Sequence, residues 1–276
     1  MIRCIVFDLD DTLLHNDLSI SCKTISVLHQ LSQHGIKIIP ASGRAPESMK
    51  PFLQKLGCAD AAIASNGAEL LDTEGNVIWR QILDQNTAHS ILDFAADHHC
   101  YAHTYEGATF HYQMIGSKWA EAYQRSSLLT GVHENNLHAF VDKHPTNKIL
   151  LISESRIITT LFQDALRIFS GKASVSTSKP QYLEFNPFGT SKGNALTMVM
   201  QQMKVPMEQV CAFGDGINDI SMLQAAGLGI AMGNASAEVQ NAADAVCMTN
   251  EEDGIAQYLE AHAELFELTL GLDQCN

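Results

Sequence analysis

No apolar run in this chain approaches the roughly 20 residues that a membrane-spanning helix needs. Mean hydropathy is −0.03, as in ordinary globular proteins. The opening stretch, Met1–Asp11, holds one arginine and meets acids from Asp8 onward. It has no long apolar segment and no small-residue cleavage site, so it does not read as a secretory leader. Seven cysteines are present, an odd number. Cys4, Cys22, Cys58, Cys100, Cys211, Cys247 and Cys275 are scattered and never spaced as CxxC. That argues against a disulfide framework and a cysteine zinc site, and for reduced thiols in a cytoplasmic protein.

Positive charge is also scarce. There are 17 Lys and Arg against 31 Asp and Glu, a formal net charge of −14. A polyphosphate backbone would be repelled, so no nucleic-acid partner is expected, and no membrane partner either. A small phosphate ligand stays open, because one bound metal ion reverses the local sign. Two nucleotide-binding patterns are missing. Thr190-Ser191-Lys192-Gly193 lacks the G-x-x-x-x-G-K-[ST] spacing, and Met232 stands where a dinucleotide fingerprint starting at Gly227 and Gly229 needs its third glycine. There is no internal repeat and no low-complexity tract.

What is present is alternation. At about 150 residues per domain, 276 residues predict two domains. Ile2–Leu9, Ile36–Ala41 and Ala61–Ala64 read as buried strands, and Ser21–His34 and Pro46–Leu56 as the helices between them, closed by Gly35 and Gly57. Glu69–Gln81 reads as a hairpin around Asp72–Asn76. From Asp84 to Glu184 the pattern is mixed. Helices are expected at Thr87–His98 and Ile157–Phe169, and strands at Thr109–Tyr112, Lys148–Ser153 and Gln181–Phe185. Alternation resumes with a helix at Lys192–Lys204, a strand at Gln209–Phe213, a helix at Ile217–Ala226 and a strand at Leu228–Met232. A helix at Ser236–Ala242, a strand at Ala245–Met248 and a helix from Gly254 to about Leu268 follow. The expected class is α/β, a Rossmann-like parallel sheet with helices on both faces. Residues 1–83 and 186–276 would form that core, and 84–185 an inserted α+β cap. Eight of the twelve histidines lie from His89 to His144. His98, His99 and His103 match no zinc spacing and are expected to be surface residues.

Four polar clusters follow strand-like runs. Asp8-Leu9-Asp10-Asp11-Thr12 comes after the first strand; residues two apart in extended chain face one way, so Asp8 and Asp10 should share a side. Paired carboxylates suit a hard cation such as Mg²⁺. Ser42-Gly43-Arg44 offers a hydroxyl, close backbone approach and a guanidinium fork for phosphate. Ser191-Lys192-Gly193 enters a helix, whose N-terminus favours an anion. Gly214-Asp215-Gly216-Ile217-Asn218-Asp219 crosses a strand-to-helix turn, so Asp215 and Asp219 can converge on one cation. Singly, each has an ordinary reading as a cap or a polar turn. In an open α/β sheet all four would lie at one edge, where ligands bind.

Their order and spelling resemble the haloacid dehalogenase superfamily. FDLDDTLL, ASGR, SKG and GDGIND match its four motifs. The large insertion, together with Ser65-Asn66-Gly67 and Glu184, resembles the Cof-type branch, whose members are mostly Mg²⁺-dependent phosphatases of small phosphomonoesters. The resemblance implies Asp8 as the nucleophile that forms an aspartyl-phosphate and Asp10 as the acid and base. It implies Mg²⁺ among Asp8, the Asp10 carbonyl, Asp215 and Asp219, with Ser42 and Lys192 on the phosphoryl group. Thr12, Gly43, Arg44, Asn66 and Asn218 are implied near phosphate or substrate. The partner would be a small phosphorylated metabolite. A phosphotransferase or phosphomutase on the same scaffold is the alternative, and a phospho-aspartate receiver module a more distant one.

Overall fold

The computed structural model describes residues 1–267. In chain order its elements are β1 (Cys4–Phe7), α1 (Cys22–Gln33), β2 (Lys37–Pro40), α2 (Pro46–Leu56), β3 (Ala62–Ala64), β4 (Glu69–Leu71) and β5 (Val77–Arg80). Then come α3 (Gln85–Asp97), β6 (Tyr101–Glu106), β7 (Thr109–Tyr112), α4 (Lys118–Ser127), β8 (Thr130–His133), α5 (Leu137–Lys143) and β9 (Ile149–Ile152). These are followed by α6 (Ser155–Ile168), β10 (Ala173–Ser176), β11 (Tyr182–Pro187), α7 (Lys192–Met203) and β12 (Val210–Gly214). The last are α8 (Ile220–Ala225), β13 (Leu228–Ala231), α9 (Ala237–Ala242), β14 (Ala245–Val246) and α10 (Gly254–Ala261).

The central sheet has the order β14-β13-β12-β1-β2 and is parallel throughout. The chain enters at β1, builds outward to β2, and returns much later to place β12 on the other side of β1. Ligand-binding crevices in such sheets open beyond the strands' carboxyl ends, at this reversal. Alternate residues of β1 feed two cores. Ile5 and Phe7 pack with α1, α2 and α10, whereas Cys4 and Val6 pack with α7 and α8. Helices therefore cover both faces, as the apolar strand runs require. Local chemistry fixes the helix ends. The Ser21 side chain accepts from the Thr24 N–H, Pro46 opens α2, and Gly57 closes α2 at φ 68°.

A separate six-stranded sheet, β10-β11-β9-β6-β7-β8, takes every strand from residues 101–187. One face, with Ile149 and Leu151, packs against α3, α5 and α6. The other, with Tyr101, Tyr105, Leu150 and Ile152, packs against α4. A three-stranded sheet, β3-β4-β5, holds the expected hairpin, turned at Asp72–Asn76, and joins the central sheet through a bridge between Ala41 and Ile63. Among the described residues no helix is long and apolar enough to cross a membrane.

Several expectations are corrected. β1 stops at Phe7, and Leu9–Leu13 forms one wide turn with Asp11 in the left-handed region at φ 56°. The closing helix breaks at His262 into a short turn; Leu268 lies outside the described residues. Of the three histidines expected at the surface, His98 and His99 are exposed but His103 is 0% exposed; His111 nearby is 6% exposed. His103 occupies the inner face of β6, and His111 stacks on Phe140 with ring centroids 4.1 Å apart.

Candidate active site

Three strands deliver side chains to one cavity. β1 leads to Asp8, β2 leads to Ser42, Gly43 and Arg44, and β12 leads to Asp215. Lys192 comes from the first turn of α7, where Ser191 caps the helix by accepting from the Asn194 N–H. Gly193 lets that turn approach α8, since a Cβ there would sit 2.2 Å from the Ser221 carbonyl oxygen. The Lys192 side chain is wholly buried, and its Nζ donates to Asp8 Oδ1 and to Asp219 Oδ1, both at 2.6 Å. Burial alone would lower its pKa, but Asp219 and Asp8 outweigh burial and raise it.

Asp219 is 0% exposed, and its second oxygen accepts from the N–H groups of Asp215 and Gly216. Gly214 makes room for it; a Cβ at that position would lie 2.5 Å from the Asp219 Cβ. Thr12 donates to Asp215 at 2.7 Å, so its hydroxyl supports the acidic cluster. Burial raises the Asp8 carboxyl, with Asp219, Asp215 and Asp10 adding to the shift and Lys192 opposing it. Burial and Asp219 push Asp215 up to about 7.

Oxygens of Asp8, Asp215 and Asp219 lie within 4.8 Å of one another. These three carboxylates face one ammonium, so the cluster holds a formal surplus of two negative charges. One divalent cation cancels it, and an all-oxygen donor set suits Mg²⁺. The residues fit the ion that the sequence suggested.

Asp10 departs from expectation in its partner. Its carboxylate lines the same cavity but joins Arg44 in a two-bond pair, Nε to Oδ2 at 2.8 Å and Nη2 to Oδ1 at 2.7 Å. Asp8 and Asp10 thus share the cavity as expected, although the strand ends at Phe7 and the wide turn Leu9–Leu13, rather than strand alternation, places Asp10 there. Burial would raise the Asp10 carboxyl, yet the Arg44 guanidinium outweighs it and holds the group below the usual range. Arg44 also donates to Ser48 Oγ and to the carbonyl of Ser126 at the end of α4, and it lies over the Phe52 ring. Ser42 Oγ accepts from the Arg44 N–H. Asn218 donates to Asn66, and Asn66 donates to Glu184 and Asn186.

Residues between 84 and 185 close the cavity. Tyr123, Ser126, Lys148, Lys179, Tyr182 and Glu184 line it opposite the acids. Lys148 and Glu184 form a buried pair at 2.6 Å, and Lys148 also donates to the Gly43 carbonyl at 2.7 Å. Sequence reasoning passed over Lys148, Tyr123, Lys179 and Tyr182. Lys148 alone carried a signal, a charge at the doorstep of the apolar run Ile149–Ile152.

The family model of the haloacid dehalogenase-like hydrolases matches residues 5–259. The phosphatase YwpJ of Bacillus subtilis is 27% identical over 281 residues, covering 94% of this chain and 99% of the relative. The 5-amino-6-(5-phospho-D-ribitylamino)uracil phosphatase YcsE of the same organism is 27% identical over 256 residues, covering 93% and 94%. The crystal structure of a haloacid dehalogenase-like hydrolase from Bacteroides thetaiotaomicron superposes with a TM-score of 0.82 at 28% identity, covering 95% of this chain and 99% of that one. With the Asp8 and Asp215–Asp219 segments meeting around the buried Lys192 and a family match over nearly its whole length, the chain belongs to the haloacid dehalogenase-like hydrolases, in their Cof-type branch.

Proposed function

We propose that this chain is a Mg²⁺-dependent phosphatase of small phosphomonoesters that works through a phosphorylated Asp8. The carrying observation is Lys192, buried between Asp8 and Asp219 at the mouth of β1. The phosphatase names of YwpJ and YcsE support the reading. In this proposal residues 1–83 and 186–276 form the catalytic core, and 84–185 the cap that selects the substrate.

Uncatalysed phosphomonoester hydrolysis is so slow that enzymes accelerate it by up to about 10²¹-fold, more than one group supplies. Asp8 Oδ attacks phosphorus, and the bond to the leaving oxygen breaks as Asp10 gives that oxygen its proton. Asp10 then takes a proton from water, which attacks the phosphoryl group and releases Asp8. Arg44 keeps Asp10 ionised at rest, the state required of the base; to serve as acid Asp10 first takes a proton from solvent or from the monoanionic phosphate of the substrate as the Arg44 pair loosens, and passes that proton to the leaving oxygen. Ser42 and Lys192 hold the phosphoryl oxygens; Lys192 also opposes the burial and neighbouring acids that raise the Asp8 carboxyl. Mg²⁺, held by Asp8, Asp215, Asp219 and the Asp10 carbonyl, would supply charge neutralisation at the phosphoryl group. Gly43, Asn66 and Asn218 shape the substrate side, and Thr12 steadies the acids. The test is steady release of inorganic phosphate from a panel of sugar phosphates, nucleotides, pyridoxal phosphate and flavin mononucleotide. Release by the native enzyme and its loss in Asp8→Asn are expected; phosphoryl transfer to a second sugar without steady release would overturn hydrolysis.

A further inference from the structure

Tyr101, His103 and Tyr105 point from one face of β6, two residues apart, into the space beneath α4. Within this face a chain of hydrogen bonds runs toward the cavity. His103 Nε2 meets the Tyr105 hydroxyl at 2.9 Å, and the Tyr105 hydroxyl meets the Tyr123 hydroxyl at 2.7 Å. Tyr123 lines the cavity, close enough to Arg44 and Glu184 for their charges to act on its hydroxyl. The far end is sealed, because His103 Nδ1 is buried without a partner.

That orphaned atom sets the direction of the chain. Burial, with Lys148 nearby, keeps the imidazole neutral, so one ring nitrogen carries a hydrogen and the other a lone pair. A buried N–H with nothing to donate to is the rarer and costlier defect than an idle lone pair. The hydrogen therefore sits on Nε2 and is given to Tyr105. Tyr105 then gives its own hydrogen to Tyr123. Tyr123, with its acceptor side occupied, has a hydrogen left for the cavity; among the described residues no acceptor takes it.

We propose that Tyr123 is a specificity-determining residue whose hydroxyl donates to an oxygen on the substrate's leaving group, and that His103, through Tyr105, is the positioning residue that fixes this direction. The inference rests on the phosphatase reading above. It names what the cap reads: a leaving group that offers an oxygen acceptor, as polyol and sugar phosphates do and alkyl phosphates do not. Ser42, Gly43 and Arg44 line the same cavity from the core, so phosphate recognition falls to the core segments and leaving-group recognition to α4.

The test compares glucose 6-phosphate, ribose 5-phosphate and glycerol 3-phosphate with hexyl, pentyl and propyl phosphate. The native enzyme should prefer the hydroxylated member of at least one pair. Tyr123→Phe, which removes only the hydroxyl, should lower kcat/KM for that member about tenfold, chiefly through KM, and change the alkyl phosphate less than about twofold. Tyr105→Phe and His103→Leu should erode the same preference, and His103→Gln, which keeps an N–H, should restore it. Equal losses on both members, or no loss, would overturn the role of Tyr123. An unchanged preference in both Tyr105→Phe and His103→Leu would overturn the positioning role of His103. If the native enzyme released phosphate from every pair without preference, this inference alone would fall; if it released none from any phosphomonoester, the phosphatase reading would fall first.

Discussion

The two walls of the cavity are built from opposite materials. The core wall presents charges held by fixed partners: Asp8 by the buried Lys192, Asp10 by Arg44, and Asp215 by the Thr12 hydroxyl. The cap wall facing it is mostly neutral hydroxyls, from Tyr123, Ser126, Ser178 and Tyr182, with Lys179 beside them. Charges held in fixed geometry serve a reaction whose transition state is itself highly charged, whatever alcohol leaves. Hydroxyls distinguish one alcohol from another but add little to phosphoryl transfer. Between the walls stands a third device, the Lys148–Glu184 pair, reaching from the cap sheet to the Gly43 carbonyl beside Arg44.

This contrast breaks most visibly at Asp8. Asp8→Asn should lower kcat by about 10⁴-fold or more, as removal of a nucleophile does, measured by phosphate release at saturating substrate. A cap substitution such as Tyr123→Phe should fall far short of that. Removing divalent ions with EDTA should bring activity to background, and Mg²⁺ should restore it and raise the thermal midpoint; full activity after exhaustive chelation would remove the ion from the account. The cap–core latch ranks next. Lys148→Met leaves the Glu184 carboxylate buried and uncompensated, and should cost about 3–5 kcal/mol in urea unfolding. Adding Glu184→Gln, which keeps an acceptor for Asn66, should recover most of that loss.

The smallest effect concerns His103 and pH. Burial holds its pKa well below the ordinary 6.5, so the unfolded chain takes up a proton that the folded chain refuses. Its contribution is therefore intact above about pH 6.5 and is lost as pH falls below it, by up to about 1.4 kcal/mol per pH unit. His103→Gln should flatten this acid limb relative to the native chain when urea midpoints are compared at about pH 7.5 and about pH 5. An identical slope in both proteins would show that His103 accepts its proton in the folded state.

The same contrast decides what could be read from residue order. Strands of a parallel sheet are buried on both faces, so each shows as an apolar run, and the first polar residue after it marks the sheet edge. Phe7 before Asp8 and Phe213-Gly214 before Asp215 are such places, and they mapped the acidic cluster. Asp10 reaches the same cavity as Asp8 although the strand ends at Phe7, and its pairing with Arg44 could not be read from spacing, because alternation holds only inside a strand. The cap wall left no comparable trace. Tyr123 sits in an ordinary amphipathic helix, and His103 is one polar residue in a strand whose burial appears only after β7, β9 and α4 cover it. Lys148 and Glu184 are 36 residues apart and explain each other only once β9 pairs with β11.

The central claim is that Asp8 carries the phosphoryl group. Rapid acid quench of the enzyme with Mg²⁺ and a turning-over phosphomonoester, followed by peptide mapping, tests it directly. One phosphoryl group on the peptide containing Asp8, labile to hydroxylamine and missing from Asp8→Asn, is the predicted result. A phosphoryl group on another residue, or one that persists in Asp8→Asn, would contradict the account.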